Sequence, residues 1–172
     1  INSVIKEINS GVVQKVVLSR LKELHIKEKI NLFPILKKLR EDYPECTTFM
    51  FDFSGQSIFL GCSPERLIKV KNGILNTEAL SGTSPRSNDN KLDQSFSDKL
   101  ITSSKENKEH NFVVKQIEEK LKSILKEVKI NRTPEVVKLA NVQHLKTKIS
   151  GVLNEKKHIL DLVKKFHPTP AV

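Results

Sequence analysis

The sequence has no tryptophan, one tyrosine and an aromatic content of only 5%. A base-stacking platform of interleaved arginines and aromatics therefore has little to be built from. Zinc-finger spacing and Gly-rich RNA-binding signatures are also missing. There are only two cysteines, Cys46 and Cys62, and they do not have CxxC spacing. They form no disulfide framework, and a reduced, cytoplasmic setting is expected. No run approaches the roughly 18 apolar residues of a membrane span. No signal peptide, internal repeat, low-complexity tract or dividing linker is visible. The first residue is Ile1 rather than Met, and the last four are Thr-Pro-Ala-Val. Both ends are expected to have been cut from a longer chain.

What is present is charge and pattern. The 172 residues include 30 basic and 20 acidic side chains, a net charge of +10. Such a balance suits nucleic acid, acidic lipid or a small anion as partner. The lysines are spread along the whole chain, however, as on an ordinary solvated surface, so neither a nucleic-acid nor a membrane partner is expected. Hydrophobic residues, at 37%, are few but periodic. Val4, Ile5 and Ile8 predict a short helix ended by Ser10-Gly11. VVQKVVLSR (12–20) predicts a strand. Asn31 is a candidate N-cap for a helix over 31–43. Strands are predicted near Thr47–Phe53 and Ser57–Leu60, and a hairpin over 67–80 around Asn72-Gly73. Residues 81–91 read as a loop and 92–101 as a short helix. A long helix is predicted over 104–128, with one apolar stripe from Val113 to Val128. One or two strands follow within 134–153, then a helix over 155–166 ended by His167-Pro168. The class is α+β, with mixed, largely antiparallel β-sheets and helices packed outside.

Three residues stand in unusual places. On a strand, Lys15 shares its face with Val13 and Val17. It is either an edge lysine that snorkels to water or a desolvated amine that can act as a base. Glu65 follows Pro64 where one strand ends and another begins. It is either a solvated turn acid or a carboxyl that burial keeps protonated. Glu109 falls at the edge of the long helix's apolar stripe, and His110 falls near its centre. Glu109 is either a helix-start acid favoured by the macrodipole or a ligand for a hard cation such as Mg²⁺.

The words around these residues resemble the chorismate-utilising enzymes, and within them most closely the isochorismate synthases. Six blocks in order carry the likeness: QKVVLSR (14–20), FLGCSPERLIKV (59–70), GILNTEALSGTSPR (73–86), SSKENKEHNFVV (103–114), VQHLKTKISGVL (142–153) and HPTPAV (167–172). The resemblance implies that 1–172 is part of a single chorismate-binding catalytic domain, an incomplete α/β sandwich. It also implies Mg²⁺-dependent addition of water at ring C2 while the C4 hydroxyl leaves. By the same likeness Lys15 is the base that activates water and Glu65 is the general acid. Glu109 is then a magnesium ligand, and Ala79, Gly82, Thr83 and His144 lie against substrate. A lysine rather than a glutamine at position 15 favours water over ammonia, and so argues against an anthranilate synthase. Salicylate synthases share the lysine, and a salicylate synthase or an anthranilate synthase-like enzyme remains the alternative. Both downstream routes, to a menaquinone-type quinone and to a catechol siderophore, stay open. A monomer is expected, with chorismate as its partner. The fragment alone is expected to be inactive, because the family's further magnesium-binding glutamate and carboxylate-binding arginine lie beyond its last block. Exposed sheet surface is expected to limit its solubility.

Overall fold

A computed structural model describes residues 2–13, 16 and 18–168. Helix α1 spans Asn2–Asn9 and α2 spans Leu32–Asp42. As expected, Asn31 caps α2, its side chain accepting from the amide of Phe33 at 3.2 Å. Strands β1 (Thr47–Phe53) and β2 (Ser57–Ser63) pair antiparallel through the turn at Ser54-Gly55. Phe49 lies opposite Gly61, and its ring covers the space a side chain would take there. On this hairpin Phe51, Phe53, Ile58 and Phe59 are exposed.

The second sheet holds β3 (Lys69–Lys71), β4 (Ile74–Pro85), β5 (Lys129–Ile130), β6 (Glu135–Lys138) and β7 (Val142–Val152). Asn72-Gly73 makes the tight turn between β3 and β4, with φ positive at both residues, as a two-residue hairpin requires. β4 runs beside β7, and β5 and β6 pair with β7's other edge. All these pairings are antiparallel. The α+β reading with largely antiparallel sheets therefore holds.

Helices α3 (Asn90–Thr102), α4 (Ser104–Lys122) and α5 (Ile159–Phe166) complete the fold. α4 lies on the β4–β7 sheet. Its Val113, Val114, Ile117 and Leu121 meet Leu75, Ala79 and Ile149 of the sheet and Leu162 and Phe166 of α5. Each of these side chains other than Ala79 contributes about 1.5–3 kcal/mol when withdrawn from water. Alternation decides the sheet's two faces. Leu75, Thr77 and Ala79 are buried, whereas Ile74 and Asn76 are exposed. In β7 the odd positions from Gln143 to Gly151 are buried.

Four expectations need correction. The described residues of 12–20 form no strand, and the rest of that run, Lys15 included, lies outside the described residues. A β-branched run becomes a strand only when a neighbour takes up its backbone groups, and the described strands pair elsewhere. The long helix ends at Lys122 rather than 128. The apolar stripe continues through Ile124 and Leu125, but their backbone turns to the sheet: Lys126 donates to the Val152 carbonyl and Asn154 to that of Ile124, at 2.9 and 3.0 Å. The predicted 81–91 loop is strand as far as Pro85, because an extra residue at Gly82 is absorbed as a bulge. The last helix begins at Ile159, where His158 caps it, rather than at 155.

One polar hub ties the segment after β4 to the rest. Asp93 of α3 is buried. It accepts from Arg86 at 2.8 Å, Lys138 at 2.8 Å and the Ser87 amide at 3.1 Å. Arg86, and then Lys138, hold its carboxyl well below the usual carboxylate range. A depressed folded-state pKa contributes stability above the ordinary value of 3.8 that is lost as pH falls through the folded-state value. Asp93→Asn is thus expected to lower stability by a constant amount between pH 7 and about pH 5, and by less in stronger acid. Denaturant titrations of parent and variant from pH 7 down to about pH 3 would give coincident profiles if the hub contributed nothing.

Candidate active site

Apart from Lys15, which lies outside the described residues, the expected site residues sit on three supports: β4 and β7, the first turns of α4, and the exit of β2. The geometry turns on Gly82. Ser81 pairs with Leu145 and Thr83 with His144, so Gly82 is an extra residue between them, with φ +71°. This left-handed backbone suits glycine and makes the step a bulge of the glycine type. The bulge reverses the alternation, so Thr83 joins the face that His144 occupies. His144 Nδ1 lies 3.0 Å from the Gly82 carbonyl oxygen and 3.2 Å from Thr83 Oγ1. A carbonyl oxygen only accepts, so Nδ1 carries the proton. In the neutral ring Nε2 is then the acceptor.

On the opposite face His110 joins α4 to both strands. Its Nδ1 is 2.9 Å from Ser81 Oγ and its Nε2 is 2.8 Å from Thr147 Oγ1. Burial pushes its pKa down, which keeps the ring neutral. Glu109, half-buried, precedes it on the helix. One turn earlier Glu106 reaches the bulge: a Cβ on Gly82 would lie 3.2 Å from its Oε2. Its other oxygen is 3.5 Å from Lys105 Nζ.

Glu106 was not singled out from the sequence. Ser103-x-x-Glu106 is also the pattern of a helix start, and Ser103 does cap α4 through the Glu106 amide at 3.3 Å. Its three-residue spacing from Glu109, which puts both carboxylates on one side of the helix, is the signal that could have found it.

These two carboxylates suit a hard cation. Among the described residues no three His, Cys, Asp or Glu side chains gather as a metal cluster. Among the described residues, the groups placed to hold a cation would be these one or two oxygens of α4. Mg²⁺ commonly takes that number and completes its shell with water and substrate oxygens.

Glu65 stands at the exit of β2. Ser63 turns the chain, its hydroxyl accepting from the Glu65 amide at 3.3 Å. The next amide, of Arg66, donates to Glu78 Oε1 at 3.3 Å. Glu65 is half-buried. A cavity of about 570 Å³ has Cys62 and Pro64 on one wall and Val142 and His144 on another. The segment carrying Glu65 thus opens on the same space as His144. The structure joins Gly82, Thr83 and His144 directly. Ala79 is fully buried in the core under α4.

Known proteins resemble this chain in sequence and in fold. A family model for chorismate binding enzymes matches residues 1–172. The isochorismate synthase MenF of Bacillus subtilis is 37% identical over 158 residues, which are 92% of this chain and 33% of that protein. The salicylate biosynthesis isochorismate synthase of Pseudomonas aeruginosa is 33% identical over 172 residues, 100% of this chain and 36% of that protein. The solved structure of MenF, the menaquinone-specific isochorismate synthase of Escherichia coli, superposes with a TM-score of 0.74 at 33% identity. It covers 80% of this chain and 32% of its own. The chain spans about a third of the length of the curated relatives it matches. With the family model covering the full sequence and the sheet, helix and bulge arranged as described, the chain belongs to the chorismate binding enzyme family.

Proposed function

We propose that the whole protein converts chorismate to isochorismate with Mg²⁺, water adding at ring C2 as the C4 hydroxyl departs. The observation that carries this reading is the Gly82 bulge. It sets His144 and Thr83 on one side and the Glu106–Glu109 turn of α4 on the other. An anionic ring substrate reaching across the strand at Gly82 would meet polar donors and acceptors on one side and a pair of metal-binding oxygens on the other. Lys15, in this reading, takes the proton from the attacking water. Glu65 gives one to the departing hydroxyl, which requires it to be protonated and Lys15 neutral. Burial against substrate pushes both groups that way. Gly82 and Thr83 offer backbone and hydroxyl contacts, and His144 offers Nε2. Ala79 shapes the floor from beneath. Glu109, with Glu106, would hold Mg²⁺, which when bound clamps the substrate carboxylate and draws charge from the ring. A monomer in a reduced cytoplasm belongs to the same proposal. Among the described residues no helix is long and apolar enough to cross a membrane.

The test is product identification. The whole protein is incubated with chorismate and Mg²⁺ in the absence of ammonia, and the products are separated by chromatography. Isochorismate alone is expected, with turnover lost on chelation and restored by Mg²⁺. Salicylate with pyruvate would move the protein to the lyase branch. Anthranilate, formed only when ammonia is supplied, would show that Lys15 has been misread.

A further inference from the structure

The first two turns of α4 carry both carboxylates assigned to the cation, yet they have little apolar grip on the sheet. Residues 104–109 are exposed or half-buried, and the helix's share of the hydrophobic core begins at Val113. His110 is the first buried residue of the helix, at 1% exposure. Its ring spans two strands. Ser81 of β4 pairs with Leu145, and Thr147 of β7 pairs with Ala79, so the two hydroxyls are diagonal neighbours beneath α4. Nδ1 lies 2.9 Å from Ser81 Oγ and Nε2 lies 2.8 Å from Thr147 Oγ1. In a neutral ring one nitrogen donates and the other accepts, so the hydroxyls take opposite roles. Glu106 stands one turn earlier on the same side of the helix, against Gly82. Helix and bulge are thereby set in register, Glu106 at Gly82 and His110 at Ser81, the residue before it.

We propose, on the reading that Glu106 and Glu109 hold a cation, that His110 is a positioning residue for that site, a two-point clamp that fixes their turn of α4 against the Gly82 bulge. Apolar contacts are non-directional and let a helix slide or roll slightly at small cost. Two short hydrogen bonds to different strands resist both movements, because they weaken steeply with distance and angle. Mg²⁺ demands near-ideal octahedral geometry. A slight displacement of the turn therefore falls on metal affinity and not on the fold alone.

Mn²⁺ serves as the probe. Its binding to the whole protein is measured from the electron paramagnetic resonance signal of the free ion, with Tm measured beside it. Glu109→Gln should lose most of the binding. A parent that binds no Mn²⁺, or a Glu109→Gln variant that binds it as the parent does, would overturn the metal reading and the clamp with it. Thr147→Val keeps the shape of β7 and both carboxylates but removes one arm of the clamp. It should weaken Mn²⁺ binding about tenfold, the scale of a lost supporting contact at a metal site. His110→Leu should weaken it at least as much, and His110→Gln, whose amide can reach the Thr147 hydroxyl, should recover most of the loss. Ile117→Val, a core change farther along α4, should lower Tm and leave Mn²⁺ affinity unchanged. If the Leu variant fails to fold, Thr147→Val decides. Parental affinity in Thr147→Val would overturn the clamp alone. So would an equal loss of affinity in Ile117→Val, which would reduce His110 to one core contact among others.

Discussion

Glu65→Gln in the whole protein is expected to leave chorismate binding nearly intact and to lower turnover by roughly a hundredfold or more, the usual loss when a general acid is removed. Glutamine keeps the size and the hydrogen-bonding reach of the side chain but has no proton to give a departing hydroxyl. Ser63 sets the backbone of this turn through the Glu65 amide, and Arg66 is held by Glu78. Neither contact involves the carboxyl that the substitution changes, so the loss should fall on kcat with KM nearly constant. Titration calorimetry beside steady-state rates would separate the two. A variant with near-parental kcat would remove Glu65 from the chemistry. One with normal kcat and a much raised KM would make it a binding residue instead.

Gly151→Ala should have the largest structural effect. Gly151 of β7 is buried opposite Leu75. A Cβ there would stand 2.1 Å from the Glu127 carbonyl oxygen and 2.7 Å from Leu125 Cδ1. The nearer atom is backbone, and it belongs to the segment that leaves α4 for the sheet. The contact cannot be relieved by a side-chain rotation. The loss should reach about 3 kcal/mol or more, the upper end for overpacking, and should be seen as a lower urea midpoint. An unchanged midpoint would mean that the 123–128 segment yields freely.

Much of the fold could be read from local rules because local chemistry decides it. Asn31 and Ser103 cap where their side chains reach an orphan amide. Asn72-Gly73 turns because both residues tolerate positive φ. The stripe from Val113 to Leu121 faces the sheet because its period is helical. The misreadings arose where a distant partner decides. Periodicity runs on through Ile124 and Leu125, but β7 takes their backbone groups. The 81–91 segment has turn composition, yet β7 holds it as strand through Pro85. The site divides in the same way. Gly82, Thr83 and His144 came from recognisable words, and the bulge explains why those words stand together. Glu106 stands in no singled-out position of the sequence, and only the close approach of its carboxylate to Gly82 brings it to the site. Lys15 lies outside the described residues, so its place at the site rests on the family likeness alone.

The position of β7 has a kinetic meaning as well. β4 is complete by Pro85, but its long partner is Val142–Val152, and β5 and β6 depend on the same strand. As the chain leaves the ribosome, the β3–β4 hairpin and the capped helices can form from nearby residues. The sheet must wait until residue 152 has emerged. Pairings so distant in sequence close slowly, after their loop entropy has been overcome. In that interval β4 presents a bare edge and α4 an uncovered apolar stripe, the surfaces on which a nascent chain aggregates or is met by a chaperone.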